Sequence, residues 1–289
     1  MVLAGIMELW PAGALMFGLG AVFAIVLLIA SIKLKVEIDP KIEQVHQALP
    51  CIDCGACGFA GCASYAKAVV QAPELLGNCA PGGPDVAAAV AGILNLQVSA
   101  GGPAQRPIIH CRAHLQEKTF YARYEGIATC VAVNAQPTVQ ACKFGCMGYG
   151  DCTRACKFDA LNIAEGLSTV DYYNCTGCGA CAKACPRNLI EMVPFTQEHM
   201  MTVACSNQEN GKTTRGMCKV GCIACKMCVK QSELFTMVGN TARLGYANYE
   251  LNEQTETAMT KCPTGVIVYR GKDAPPPRPA GQKATAAKT

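Results

Sequence analysis

Eight cysteines between Cys142 and Cys185 restrict what this chain can fold into more than any other feature. They fall into two sets: Cys142, Cys146, Cys152 and Cys156, then Cys175, Cys178, Cys181 and Cys185. Pro186 follows the second set directly, which reads C-x2-C-x2-C-x3-C-P. Thiols packed this closely suit one shared inorganic centre better than separate bridges.

That spacing is the ligand run of bacterial two-cluster ferredoxins. Three adjacent thiolates hold three iron corners of a [4Fe–4S] cube, and the fourth Cys of the run ligates the neighbouring cube. The sets are therefore expected to cross. One cube takes Cys175, Cys178, Cys181 and Cys156, and the other takes Cys142, Cys146, Cys152 and Cys185. Two cubes held side by side pass electrons. Composition agrees, since 21 Cys stand against only 8 Phe and 1 Trp. Few large side chains are available for a core, so clusters must supply much of the cross-linking. A secreted disulfide scaffold is the first alternative, and the triplet runs argue against it. Zinc is the second. Zinc sites use separated C-x2-C pairs, often with His, and no His lies inside these runs. Iron–sulfur clusters imply a reducing compartment.

Residues Leu9 to Ile32 carry no charge over 24 positions, enough to cross a bilayer. Glu8 precedes the stretch, and Lys33 and Lys35 follow it. The positive-inside rule keeps the lysine side cytoplasmic and the N-terminus outside. A cleaved signal peptide would need a basic n-region, a shorter apolar core and a small-residue cleavage site. None of these is present, so an uncleaved single-pass anchor is expected.

Past the anchor, Asp39-Pro40 opens a helix through Ile42, Val45 and Leu49, and Pro50 ends it. A short helix through Tyr65 and Val70 comes next, and Asp85 is expected to cap an alanine-rich helix to about Leu96. Cys54, Cys57, Cys62 and Cys79 read as one more [4Fe–4S] site on this helical module. Its glycines let backbone N–H groups approach the sulfides. Cys51 is left over as a free thiol beside that cluster. Ser99 to Pro107 reads as a linker, and Ala274 to Thr289 as a disordered tail.

Cys142-Lys-Phe-Gly-Cys146 resembles Cys218-Lys-Val-Gly-Cys222, and Cys185-Pro186 matches Cys262-Pro263. Cys130 sits twelve positions before Cys142, and Cys205 thirteen before Cys218. Two copies of one unit are therefore expected, offset by about 76 residues. In the second copy Cys222, Cys225 and Cys228 form the triplet, with Cys262 as remote ligand. The partner cube would need cysteines where Ser232, Asn252, Thr255 and Ala258 stand, so this unit is expected to hold one cube. Cys111, Cys130, Cys205 and Cys218 remain, and four is the number a fifth cube needs. Free buried thiols or two disulfides are the alternatives for them.

The chain resembles the B subunit of the Rnf complex, a membrane-bound ion-translocating ferredoxin:NAD oxidoreductase also described as an electron transport complex. The resemblance covers nearly the full length. It is carried by the N-terminal helix, by Cys54-Gly-Ala-Cys57-Gly-Phe-Ala-Gly-Cys62-Ala-Ser-Tyr65 with Cys79-Ala-Pro-Gly-Gly, by Cys142-Lys-Phe-Gly-Cys146-Met-Gly-Tyr-Gly-Asp-Cys152, and by Cys175-Thr-Gly-Cys178-Gly-Ala-Cys181. Cys51 and the missing C-terminal cube depart from the family. The resemblance implies an electron-transfer component that takes electrons from soluble reduced ferredoxin and relays them to membrane partners. A ferredoxin-like component of a hydrogenase or formate dehydrogenase is the rival, but such components usually lack the Cys54–Cys79 module. A zinc-stabilised interaction protein is the non-enzymatic rival.

No catalytic constellation is visible, since His46, His110, His114 and His199 are scattered. No Gly-rich dinucleotide fingerprint follows a strand, so neither flavin nor NAD is expected on this chain. Nothing points to nucleic acid. Lys212, Arg215, Lys219, Lys226 and Lys230 enclose the Cys222 triplet without an intervening acid. They are expected to steer an acidic donor, against the alternative of a solvated basic loop.

The expected fold is α+β: a transmembrane anchor (1–35), a helical cluster module (36–98), a linker (99–107), a two-cluster ferredoxin-like unit (108–200), a second unit with one cluster lost (201–273) and a tail (274–289).

Overall fold

A segment that crosses lipid must satisfy its backbone polar groups internally, and the N-terminal run forms one long helix, α1 (Val2–Lys33). Its segment Gly13–Lys33 has 21 residues and mean hydropathy 2.7. At 1.5 Å per residue it spans about 30 Å, the thickness of a bilayer's hydrocarbon core. The computed structural model describes residues 2–33, 39–97, 103–247 and 249–279. The chain forms two units, 1–43 and 44–289.

Helix α2 (Pro40–Ala48) starts as its sequence requires, with the Asp39 carboxylate accepting the Lys41 N–H at 2.9 Å. It is followed by α3 (Cys62–Gln71), a 3₁₀ turn at Pro73–Leu75, and α4 (Gly83–Leu94). Val45, Tyr65, Val69 and Val90 are buried. Helix α4 opens two residues before the expected Asp85 cap. Gly82 is its N-cap and Pro84 lies in its first turn, where the fixed φ of proline is already helical.

Short elements then alternate: β1 (Gln105–Ile109), α5 (Cys130–Asn134), α6 (Asp151–Arg154), β2 (Leu161–Ala164), β3 (Leu167–Val170), α7 (Ala180–Ala184) and β4 (Ile190–Pro194). The same alternation continues with β5 (His199–Val203), α8 (Gly211–Met217), α9 (Met227–Gln231), β6 (Phe235–Val238), β7 (Thr241–Leu244), α10 (Glu253–Lys261) and β8 (Ile267–Gly271). Among the described residues all sheets are antiparallel pairs. β1 pairs with β4 and β2 with β3, while β5 pairs with β8 and β6 with β7. Strand β1 begins inside the expected linker. Pro107 is tolerated there because a two-stranded sheet leaves each strand a free edge.

Among the described residues two apolar cores are the largest, one around Ile109, Leu161, Leu167, Leu189 and Ile190, the other around Met200, Met201, Phe235 and Ile267, and a smaller one gathers Cys130, Val133, Val139 and Met147. Cysteines are part of both: Cys111, Cys146, Cys152 and Cys181 in the first, Cys205, Cys222 and Cys262 in the second. At the positions where a second cube of the C-terminal part would need ligands, α10 packs instead. Asn252 and Thr255 cap it reciprocally, and Thr255 and Ala258 are fully buried.

Residues 280–289 of the expected tail lie outside the described residues. The part before them is held: Arg278 donates to the carbonyls of Met259 at 2.7 Å and Cys262 at 3.0 Å, which terminate α10.

Candidate metal centres

Two four-cysteine groups line cavities of their own in the expected combination: Cys156, Cys175, Cys178 and Cys181, and Cys222, Cys225, Cys228 and Cys262. Backbone geometry explains the run. Wrapping two consecutive x2 intervals round one centre puts the residue before and the residue after the middle Cys in left-handed conformation. In the first run these are Gly177 (φ 77°) and Gly179 (φ 75°). A Cβ at Gly177 would stand 2.0 Å from the Gln105 carbonyl oxygen. In the second run Ala224 (φ 55°) and Lys226 (φ 60°) take the same conformation without glycine's freedom. Left-handed geometry costs an alanine about 1 kcal/mol or more. Ala224→Gly should therefore lengthen the half-life of the visible chromophore during anaerobic heating; an unchanged or shorter half-life contradicts this account.

The other expected group does not assemble as written. Cys146, Cys152 and Cys185 line one cavity, but their fourth cysteine is Cys130. Cys142 lines a separate cavity with Cys111, Cys205 and Cys218. Asp151, immediately before Cys152, places Cys130. Its two carboxylate oxygens accept the N–H groups of Cys130 and Val131, both at 3.0 Å, pinning the start of α5. The cavity of Cys142 joins both halves. Cys111 stands two residues past β1 and Cys205 two past β5. Each receives an N–H from a cysteine of another group: Cys146 N to Cys111 Sγ at 3.4 Å, Cys222 N to Cys205 Sγ at 3.3 Å. The signal that finds this arrangement is strand position. Counting intervals between cysteines aligns Cys205 with Cys130, because the segment between β1 and Cys142 is longer than its C-terminal equivalent.

In the helical module Cys54, Cys57 and Cys62 all lie within electrostatic reach of Cys79. Asp53 holds the turn, its carboxylate accepting the Cys62 N–H at 2.6 Å and so capping α3 from a distance. A Cβ on Gly61 would strike that carboxylate oxygen at 2.8 Å. Tyr65 donates its hydroxyl to the Leu75 carbonyl at 2.9 Å, bracing the turn ahead of Cys79. Cys51 is exposed and directed elsewhere, its thiol donating to the His46 carbonyl at 3.4 Å.

The donor set fits iron–sulfur cubes. Each of the four cavities is lined by four cysteines. Among the described residues no three His, Cys, Asp or Glu side chains converge on a point where one ion could sit. Tetrahedral zinc, with Zn–S near 2.3 Å, would bring its sulfurs within roughly 4 Å of one another. Burial pushes the Cys181 and Cys205 thiols up to about 12, and those of Cys146, Cys218 and Cys228 to about 11. Without a metal they stay protonated; binding iron displaces those protons.

The groups form a series. The module meets the Cys156 group where Lys157 Nζ donates to the Asp53 carbonyl at 2.9 Å. Cys181 of that group feels the charge of Cys152 in the next. The two N–H···S bonds then join the Cys146, Cys111 and Cys222 groups in turn. At the far end, Cys225 and the side chains of Lys212, Arg215, Lys219, Lys226 and Lys230 are exposed.

Mixed helices and strands carrying rows of four-cysteine sites, together with an N-terminal helix apolar enough to cross a membrane, define a membrane-associated iron–sulfur electron-transfer protein. Family models agree on the cofactor: residues 168–191 match a 4Fe-4S binding domain and residues 49–81 a putative Fe-S cluster domain. The B subunit of the ion-translocating oxidoreductase complex of Methanosarcina acetivorans is 35% identical over 75% of this chain and 82% of its own length. The B subunit of the Na(+)-translocating ferredoxin:NAD(+) oxidoreductase complex of Acetobacterium woodii is 36% identical over 89% and 76%. The proton-translocating counterpart of Clostridium ljungdahlii is 34% identical over 86% and 88%. The chain belongs to this family, the B subunits of Rnf-type ion-translocating oxidoreductase complexes, and is their iron–sulfur electron-transfer component.

Proposed function

We propose that the chain is a five-cube wire fastened to the cytoplasmic face of a membrane by α1, with its N-terminus outside. The cubes would be held by Cys54, Cys57, Cys62 and Cys79; by Cys156, Cys175, Cys178 and Cys181; by Cys130, Cys146, Cys152 and Cys185; by Cys111, Cys142, Cys205 and Cys218; and by Cys222, Cys225, Cys228 and Cys262. The serial order of these groups is the observation that carries the reading. Residues 108–200 and 201–273 are then two copies of one ferredoxin-like unit. Matching strand pairs β1–β4 and β5–β8 support this, as do the paired N–H···S bonds. The fourth cube lies where the copies meet, each giving two ligands.

A [4Fe–4S] cube takes up and gives up one electron. The protein's part is to hold its thiolates, bury them and aim N–H groups at sulfur, which sets potential. The Cys222 group is the entry. Cys225 is exposed there, and among the described residues none of the five surrounding cations is in an ion pair. Two relatives are named as components of ferredoxin:NAD(+) oxidoreductases, and an acidic ferredoxin fits this basic face. The other members of the complex would receive the electrons.

The double variant Lys226→Glu/Lys230→Glu should slow reduction by soluble ferredoxin roughly tenfold at low salt, with the difference shrinking as salt rises. Stopped-flow absorbance measures it. Equal rates at low ionic strength would remove the docking face but leave the wire standing.

A further inference from the structure

The loop Cys142-Lys-Phe-Gly-Cys146 gives one cysteine to the central group and one to its neighbour. Two cations grip it. Arg187 Nη1 donates to the carbonyls of Gly145 at 2.7 Å and Cys142 at 3.1 Å, while its Nε donates to Asn134 Oδ1 at 2.9 Å. Lys118 Nζ donates to the carbonyls of Cys146 at 2.8 Å and Gly166 at 2.7 Å. Both side chains are partly buried. Neither meets a carboxylate among the described residues, where the ion pairs are His110–Glu191, His114–Glu165, Arg123–Glu125 and Arg154–Asp151. Asp151, the acid beside Cys130, is thus already matched by Arg154. The charge that balances Arg187 and Lys118 is that of the cysteine groups themselves. Cys142, Cys146, Cys130 and Cys111 all act on Arg187.

In the C-terminal half Thr264 follows Pro263 where Arg187 follows Pro186. Its cations sit at the other side of Cys262: the partly buried Arg278 donates to the carbonyls of Met259 and Cys262, and the buried Arg112 donates to the Gly265 carbonyl.

We infer that Arg187 and Lys118 are positioning cations that raise the reduction potential of the two sites sharing the Cys142–Cys146 loop. An electron that steps into either site is held there by the two side chains. The step moves one electron from a reduced cube to an oxidised one, with no bond made or broken and no proton transferred. Fixed positive charge favours the more negative, reduced member of the couple. This inference rests on the five-site reading above.

An anaerobic reductive titration of the full-length, detergent-solubilised protein, followed by EPR, tests it alongside iron content. Arg187→Gln should lower the midpoint of at least one component by a factor of roughly ten in the one-electron equilibrium, which is about 59 mV. Lys118→Gln should act in the same direction, and Arg187→Lys should stay close to the parent, with iron unchanged in all three. If both Gln variants keep their iron and every midpoint stays put, the inference is wrong. Iron loss in both Gln variants, or an Arg187→Lys variant displaced as far as Arg187→Gln, would assign the side chains a structural role and overturn it too. Failure of the five-site reading shows separately, as a parent protein with well under about twenty irons per chain.

Discussion

Replacing Cys142 and Cys146 together with serine should remove about eight irons per chain, whereas replacing Cys142 and Cys218 together should remove about four. The expectation follows from which cavity each thiol lines. Cys142 and Cys146 are four residues apart yet face different groups, so the double variant breaks two cubes. Cys142 and Cys218 come from different halves yet face one cavity, so the second substitution has nothing left to remove. Cys130 with Cys185 should behave like the second pair, at about four irons. Colorimetric iron on anaerobically reconstituted protein, with EPR spin integration, reads all three. The grouping expected from spacing alone gives a different pattern, since there Cys142 and Cys146 share a cube and their loss together costs about four. That result would return Cys142 to the Cys146 site.

Stripping the iron should collapse the part from β1 onward while leaving α1 helical. The apolar cores include cysteines of the candidate groups among their buried members, and the sheets around them are two-stranded pairs. Such pairs are marginal alone, and free energy of metal binding becomes free energy of folding. Chelation under reducing conditions should abolish the near-ultraviolet signal and expose dye-binding surface. Any iron-free fraction that keeps its fold should lose stability as pH rises past about 8.5. The sign follows from burial: folded thiols such as Cys181 and Cys205 are held up to about 12 and keep their protons. Thiols of the unfolded chain ionise near 8.5, so above that pH the unfolded state gains stability. Iron-free protein that keeps its near-ultraviolet spectrum would show that apolar packing alone holds the fold.

Much of the molecule is legible locally. The C-x2-C-x2-C runs of Cys175 and Cys222 and the first turn of α2 are written in residues a few positions apart, and in the structure each run lines one cavity and Asp39 caps the helix. The left-handed conformations of Ala224 and Lys226 show how strongly ligand spacing governs backbone: the run keeps its shape even where no glycine eases it. Reading weakens where position depends on distant chain. Asp85 is a sound cap by composition, but Gly82 and Pro84 start the helix earlier. The Gly/Pro-rich linker gives way to β1 at Gln105 because β4, far along the chain, supplies its hydrogen bonds.

The amino-acid order by itself determined the cofactor chemistry, the apolar N-terminal helix and the number of thiols available, because each depends on residue type and short spacing. Only the tertiary structure decided which thiols share a cavity. Cys111, Cys142, Cys205 and Cys218 are spread over more than a hundred positions and meet because two strand pairs bring the segments after β1 and β5 to one place. A thiol's partners are chosen by where its backbone is held, and here that depends on hydrogen bonds between remote segments.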